Sequence, residues 1–284
     1  VWGNDISPEG SVPERASNGE VILLQRLSTA FNRLNPHLSP EIFEEVLRKL
    51  QQTETPQLLL ENRRIHRYLV EGMEVEITRA DGSIGGDRAH LIDFQNPSAN
   101  DWLAVRQLTV IEHGHKRRPD IVLYCNGLPL VVLELKNPGV ASASLEAAYY
   151  QLQTYKAQIS SLFRTNLTLI TSDGLLARIG SLSANLERFM PWRTIDGQNV
   201  APKGSPELET MLRGVCDPHY LLQLLQDFTL FGDTDSGPIK ILAGYHQFHA
   251  VQHAVSATIR ALPREVDVEA VIKIPKKSES LVVT

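Results

Sequence analysis

The chain has 284 residues, 42% of them hydrophobic and 21% charged, and a formal net charge of −5. This is the composition of an ordinary globular protein, long enough for one large domain or for one domain and part of another. The mild negative charge argues against wholesale non-specific nucleic-acid binding but leaves room for a local basic groove. No apolar run is long enough to span a bilayer and no secretory signal is present, so no membrane partner is expected. The two cysteines, Cys125 and Cys216, lie far apart and form no CxxC pair. Zinc and redox motifs are therefore unsupported, and a reduced, cytoplasmic protein is the expectation.

Residues 1–19 are rich in Gly, Pro, Ser and Asn and read as loop. Helical spacing begins near Glu20 with Leu23, Leu24, Leu27, Ala30, Phe31 and Leu34, and Asn35-Pro36 stops it. Ser39-Pro40-Glu41 presents an N-cap followed by proline at the first helical position. Ile42, Phe43, Val46, Leu47 and Leu50 continue that helix, and a third covers roughly 57–69. From Val75 the pattern changes. Residues 74–78 alternate, Asp81-Gly82 marks a turn, and strand-like runs follow at 90–94 and from Trp102 to Ile111. Ser144 is placed to cap a helix through Phe163. Leu167–Thr171 and Leu175–Ile179 read as short strands around Asp173-Gly174. Residues 196–206 have linker composition, and helical patterns follow at about 206–231 and 244–262. Helices, strands, a hairpin, a helix and a strand together predict a mixed α/β fold.

The stretch from Arg118-Pro119-Asp120 to Glu134-Leu135-Lys136 reads RPDIVLYCNGLPLVVLELK. Two apolar runs of this kind are expected in a hairpin buried on both faces. Asp, Glu and Lys are rarely buried unless paired or ligating, so three of them at its margins suggest a site. Two converging carboxylates can hold Mg²⁺, and an ammonium beside them can steady a water or a phosphate. A two-residue Asn126-Gly127 turn with an unbroken ladder would put Asp120 opposite Leu133 and Glu134 on the other face. The chemistry therefore predicts a three-residue loop, Cys125-Asn126-Gly127 with Gly127 left-handed and Asp120 opposite Val132, or equally a bulge. Taken alone, a D…ExK pattern is short and common, and a salt bridge between strand ends is its ordinary meaning. Two basic clusters, Arg63-Arg64-His66-Arg67 and His115-Lys116-Arg117-Arg118, are ordinarily solvated faces. That meaning carries less weight for the second, which adjoins the site.

In this context the RPD and ELK segments resemble the PD-(D/E)xK nuclease superfamily. More closely, the chain is similar to the N-terminal part of the R (restriction) subunit of type I restriction-modification enzymes. The likeness covers most of residues 1–262 and includes ENRRIHRYLVEGMEVE, LIDFQNPSANDW, SDGLLARIG, RFMPWRT and AGYHQFHAVQHAV. The resemblance implies a nuclease-like mixed sheet flanked by helices, with Asp120, Glu134 and Lys136 as nuclease residues. It maps the auxiliary Q-x-x-x-Y motif onto Gln151 and Tyr155, one helical turn apart. Asp120 and Glu134 would ligate Mg²⁺, with the Leu135 carbonyl as a further ligand. Glu61 is a weaker candidate for an early-helix acid, with a surface role the ordinary alternative.

The resemblance also implies an endonuclease domain over 1–195, a linker at 196–206, and at 207–262 a helical lead-in to a helicase-like motor domain. Residues 263–284 form an unassigned tail. Within the lead-in, Gln247 maps onto an adenine-reading motif. No Gly-x-x-x-x-Gly-Lys-Ser/Thr phosphate loop is present, so ATP is expected to act only in a full-length subunit. The start looks clipped, and the chain is expected to be a fragment. Implied partners are double-stranded DNA and separate modification and specificity subunits. The rival expectation is a non-catalytic module of the same fold that docks DNA or the partner complex. His246, His249 and His253 lack a zinc-protease glutamate and are expected to be surface or packed histidines.

Overall fold

The computed structural model describes residues 1–79, 81–137, 139, 144–202 and 204–261. The run LPLVVLEL is apolar at almost every position, and as β7 (Leu128–Leu135) it forms the middle of a five-stranded sheet. β3 (Trp102–Arg106) and β6 (Ile121–Cys125) lie on one side of it, and β8 (Thr168–Ser172) and β9 (Ala177–Gly180) on the other. The order is β3-β6-β7-β8-β9, and only the β7–β8 pair is parallel. A parallel pair needs a crossover, and α4 (Leu145–Gln158) supplies it, capped at its start by the Ser144 hydroxyl.

Three N-terminal helices, α1 (Leu24–Leu34), α2 (Pro40–Gln51) and α3 (Leu58–Glu71), each bury an apolar stripe. Leu27, Phe31, Val46, Leu50, Ile65 and Leu69 join Val122, Val131, Leu133 and Leu169 in one core. The two small hairpins that follow in sequence are β1 (Met73–Thr78) with β2 (Ile84–Ala89), and β4 (Val110–Glu112) with β5 (His115–Arg117).

Several sequence expectations need correction. The partner of β1 is residues 84–89, not 90–94. The latter become loop because the Asn35 side chain holds both backbone groups of His90, accepting from its N–H at 2.7 Å and donating to its carbonyl at 2.8 Å. The expected strand 102–111 breaks at Gln107, whose φ is +57°. The helical pattern at 206–231 is two short helices, α5 (Glu207–Val215) and α6 (Pro218–Gln226), separated at Asp217-Pro218. A hairpin missed in the sequence follows, β10 (Thr229–Thr234) with β11 (Gly237–Leu242), before α7 (Tyr245–Ala261). That hairpin docks through Lys240, which is buried. Its ammonium nitrogen donates to Asn62 Oδ1 at 3.0 Å and to the Asn166 carbonyl at 2.6 Å, and burial pushes its pKa down to about 7. The unassigned tail at 263–284 lies outside the described residues.

The β6–β7 turn is the two-residue type, with Asn126 at φ +51° and Gly127 at +78°. The expected three-residue loop is therefore wrong, and a bulge restores the face. Cys125 pairs with Leu128 and Tyr124 with Pro129, but Leu123 then pairs with Val131, leaving Leu130 as the extra residue. Beyond the bulge Ile121 opposes Leu133, so Asp120 stands across from Glu134 rather than from Val132. Pro129 sits at this irregularity, where a residue without an N–H is tolerated in a sheet interior.

The turn is buried, not exposed. The Asn126 amide accepts from Asp101 N–H and donates to the Leu91 carbonyl and Asn100 Oδ1, each at 2.8 Å, while Leu23 N–H donates to the Gly127 carbonyl at 2.9 Å. A methyl group at Gly127 would strike the Leu23 carbonyl and come within 3.0 Å of Leu27 N. Gly127→Ala is therefore predicted to lower unfolding free energy by roughly 2 kcal/mol or more, the left-handed penalty plus the backbone clash. Denaturant unfolding checks this; an unchanged midpoint would remove the turn as the anchor of the hairpin.

Candidate active site

Both carboxylates sit where β6 begins and β7 ends, and both face one open cleft of ≈ 710 Å³. Asp120 is half-buried and held at each oxygen. Gln107 Nε2 donates to Oδ1 at 2.6 Å, and Leu135 N–H donates to Oδ2 at 2.8 Å. Glu134 is 2% exposed. Its Oε1 accepts from the Lys136 ammonium at 2.8 Å, and its Oε2 is buried without a hydrogen-bond partner. Burial pushes the Glu134 carboxyl up to about 7; the hydrogen bond from Lys136 opposes the rise, the Asp120 charge adds to it, and the neighbouring Tyr155 hydroxyl, close to the carboxylate although outside strict hydrogen-bond geometry, also opposes it.

Lys136 is oriented from α4. Its ammonium also donates to Gln151 Oε1, whose amide nitrogen donates to the Tyr155 hydroxyl. The Tyr155 hydroxyl in turn donates to the Arg118 carbonyl at 3.5 Å, and burial raises its pKa. The five residues singled out in the sequence are thus brought together in one cleft, with Glu134, Lys136, Gln151 and Tyr155 in a hydrogen-bonded chain and Asp120 beside it. Spacing alone explains the helical part: positions i and i+4 on α4 share the face turned to β7.

Other candidates fall elsewhere. Glu61 is neither a surface residue nor part of the cleft lining. It is buried on α3, accepting from the N–H groups of Glu54 and Thr55 and pairing with Arg64 at 2.6 Å and Arg164 at 3.4 Å. The first basic cluster is not a groove. Arg63 pairs with Asp233, Arg64 with Glu61, and the His66 ring packs on Phe231. In the second cluster Lys116 and Arg118 are exposed at the cleft, while Arg117 donates to Gln158 at 2.5 Å. His249 is buried among Trp192, Tyr220 and Phe248. Gln247 lies exposed on the first turn of α7, its side-chain carbonyl accepting from Gly244 N–H at 3.0 Å.

Among the described residues no group of three or more His, Cys, Asp or Glu is placed to hold a metal ion. What the cleft offers a cation is a two-carboxylate oxygen set, the type that suits Mg²⁺ because that ion keeps several waters. The unpartnered, buried Glu134 Oε2 fits such an ion, since a desolvated carboxylate oxygen without a donor is costly unless something neutralises it. Two residues that sequence reasoning missed complete the local structure. Gln107 carried no signal, being an ordinary residue at a strand end. Asn126 was read only as a turn former, although Pro129 inside an apolar run was a usable sign of the bulge.

Fold and cleft together describe an α/β domain that gathers carboxylates and a lysine at one end of a mixed sheet. The chain belongs to the family described as the type I restriction enzyme R protein N terminus, whose model matches residues 2–188. It is 37% identical over 270 residues to the type I restriction enzyme HindI endonuclease subunit of Haemophilus influenzae, covering 94% of this chain and 26% of that protein. It is 28% identical over 279 residues to the putative MjaIXP endonuclease subunit of Methanocaldococcus jannaschii, covering 92% of this chain and 26% of the relative. A Staphylococcus saprophyticus endonuclease subunit, SsaAORF53P, is 27% identical over 164 residues, covering 57% of this chain and 17% of its own length. The chain thus spans about a quarter of the length of the first two relatives.

A carboxyl whose pKa is higher folded than unfolded holds its proton more tightly in the folded chain. The stability it contributes is present below the unfolded value, near ~4.3, and is lost as pH rises through about 7. The Glu134 contribution is therefore smaller at pH 8 than at pH 6, and it is read as the difference between the natural chain and Glu134→Gln, because Lys240, lowered to about 7 by burial, shifts whole-chain stability in the opposite direction over the same range. Glu134→Gln should recover part of that loss at pH 8, roughly 2–4 °C for each ~1 kcal/mol. Thermal melts across pH check it; a substitution that lowers the pH 8 melting temperature contradicts a strained Glu134 charge.

Proposed function

We propose that this chain carries the DNA-cleaving centre of the R subunit of a type I restriction-modification complex, a PD-(D/E)xK site for Mg²⁺-dependent phosphodiester hydrolysis. The observation that carries the reading is Glu134 Oε2, buried without a partner beside Asp120 and Lys136 in one cleft. Asp120 and Glu134 would hold the ion, with the Leu135 carbonyl as a further oxygen ligand. Bound Mg²⁺ supplies charge stabilisation at the phosphoryl group and makes water a better nucleophile at neutral pH. The Lys136 ammonium lies within hydrogen-bond reach of Glu134, positioned to orient the attacking water and offset charge in the transition state. Gln151 and Tyr155 fix where that ammonium sits. Exposed Lys116 and Arg118 at the cleft edge would meet the phosphates of double-stranded DNA.

A purely docking role leaves the convergence of two carboxylates and a held lysine without a purpose, so the catalytic reading is preferred. In the same reading α7 begins the lead-in to an ATP-driven translocating motor, with Gln247 reading adenine in the full-length subunit. Target recognition and methylation belong to separate specificity and modification subunits. Among the described residues no helix is long and apolar enough to cross a membrane, and both cysteines are free thiols. These features accord with a cytoplasmic complex.

In the full-length subunit assembled with its partners, Asp120→Ala and Lys136→Ala should each reduce DNA cleavage by at least about a hundredfold. ATP hydrolysis should persist, because the motor is a separate centre. Parallel cleavage and ATPase assays decide; unimpaired cleavage by Asp120→Ala would refute the site.

A further inference from the structure

Asp120 is held by a residue that adopts an unfavourable backbone. Among the described residues three non-glycine positions have positive φ: Gln107, His113 and Asn126. Asn and His are enriched in the left-handed region, and Asn126 and His113 occupy tight turns. Gln107 belongs to neither case. It directly follows β3, and its N–H donates to the Asp120 carbonyl at 2.8 Å while its side-chain amide donates to Asp120 Oδ1 at 2.6 Å.

The N-terminal segment clamps this kink. Trp2 bridges to Arg106, Gly3 N–H donates to the Arg106 carbonyl at 2.6 Å, and Arg106 N–H donates to the Val1 carbonyl at 2.9 Å. The Trp2 ring lies 3.9 Å beneath the Arg106 guanidinium. Gly3 itself rests against the kink, where a side chain would strike the Gln107 carbonyl and come within 2.7 Å of Leu108 Cα.

We infer that Gln107 is a positioning residue for the metal site: its clamped, left-handed backbone delivers the side-chain amide to Asp120 Oδ1 and, with Leu135 N–H on Oδ2, fixes the carboxylate for the cation. This rests on the metal-dependent reading proposed above. A stability role alone does not explain the choice of residue. Gly would adopt this backbone without strain and Asn with less, whereas Asn is one methylene short of the same reach and Gly has no amide. Residues held in sparsely populated backbone regions cluster at functional sites, where the surrounding structure enforces them.

The test is Mn²⁺ binding to the 284-residue chain by calorimetric titration, with metal-free thermal melts alongside. Gln107→Gly should keep or raise the melting temperature and yet weaken Mn²⁺ binding by at least tenfold. Gln107→Met, which keeps the length but donates no hydrogen bond, should weaken binding similarly and guards against a folding defect in the first variant. Asp120→Ala, the control, should abolish binding. Wild-type affinity, within about twofold, in both Gln107 variants while Asp120→Ala fails to bind would overturn the positioning role and leave the metal reading standing. Wild-type affinity in Asp120→Ala would remove both.

Discussion

Everything at the candidate site depends on the buried Asn126-Gly127 turn and the single extra residue that follows it. The turn starts the β6–β7 ladder in a register that separates Asp120 and Glu134 onto opposite faces. Leu130, bulged out of that ladder, reverses the alternation before the strands end. The three hydrogen bonds of the Asn126 side chain, together with the Leu23 N–H on the Gly127 carbonyl, leave the turn no second position. A slip of one residue would turn Glu134 away from Asp120 and dismantle the cleft while leaving the sheet otherwise possible.

The consequence is a carboxylate placed where water cannot serve it. Glu134 lies at the end of a strand buried on both faces, and Lys136 satisfies only one of its oxygens. Desolvation and the Asp120 charge disfavour ionisation, and a cation is the group that would reverse both effects at once. The opposing element is α4, which lends Gln151 and Tyr155 to keep the lysine beside Glu134 instead of in solvent. A crossover helix required by the parallel β7–β8 pair thereby becomes the second wall of the site.

Much of this was legible in the sequence because it follows from period and chemistry. The apolar hairpin, the capped helix after Ser144 and the i, i+4 pair on it could be read from residue types alone. The convergence of Asp120 and Glu134 was also foreseeable, but only as a demand on the turn, and the alternative of a bulge turned out to be the one used. Gln107 was not legible, because nothing in a glutamine announces a left-handed backbone imposed by distant residues Val1 to Gly3. The β10–β11 hairpin was missed for a related reason. Its docking draws on residues far along the chain, among them Asn62 and Asn166, which meet the buried Lys240 ammonium across 178 and 74 positions. Glu61 misled in the other direction: an acid on an early helix invites a catalytic role, yet Arg64 and Arg164 hold it in a structural ion pair.

If Glu134 is a metal ligand kept ready by burial, Mg²⁺ should raise the melting temperature of the chain through that carboxylate. Selective binding to the folded state stabilises by about 2.7 kcal/mol when free Mg²⁺ is a hundred times its dissociation constant. A saturable rise in melting temperature is expected for the natural chain and none for Glu134→Gln. An equal rise in both proteins, or no rise in either, would contradict it.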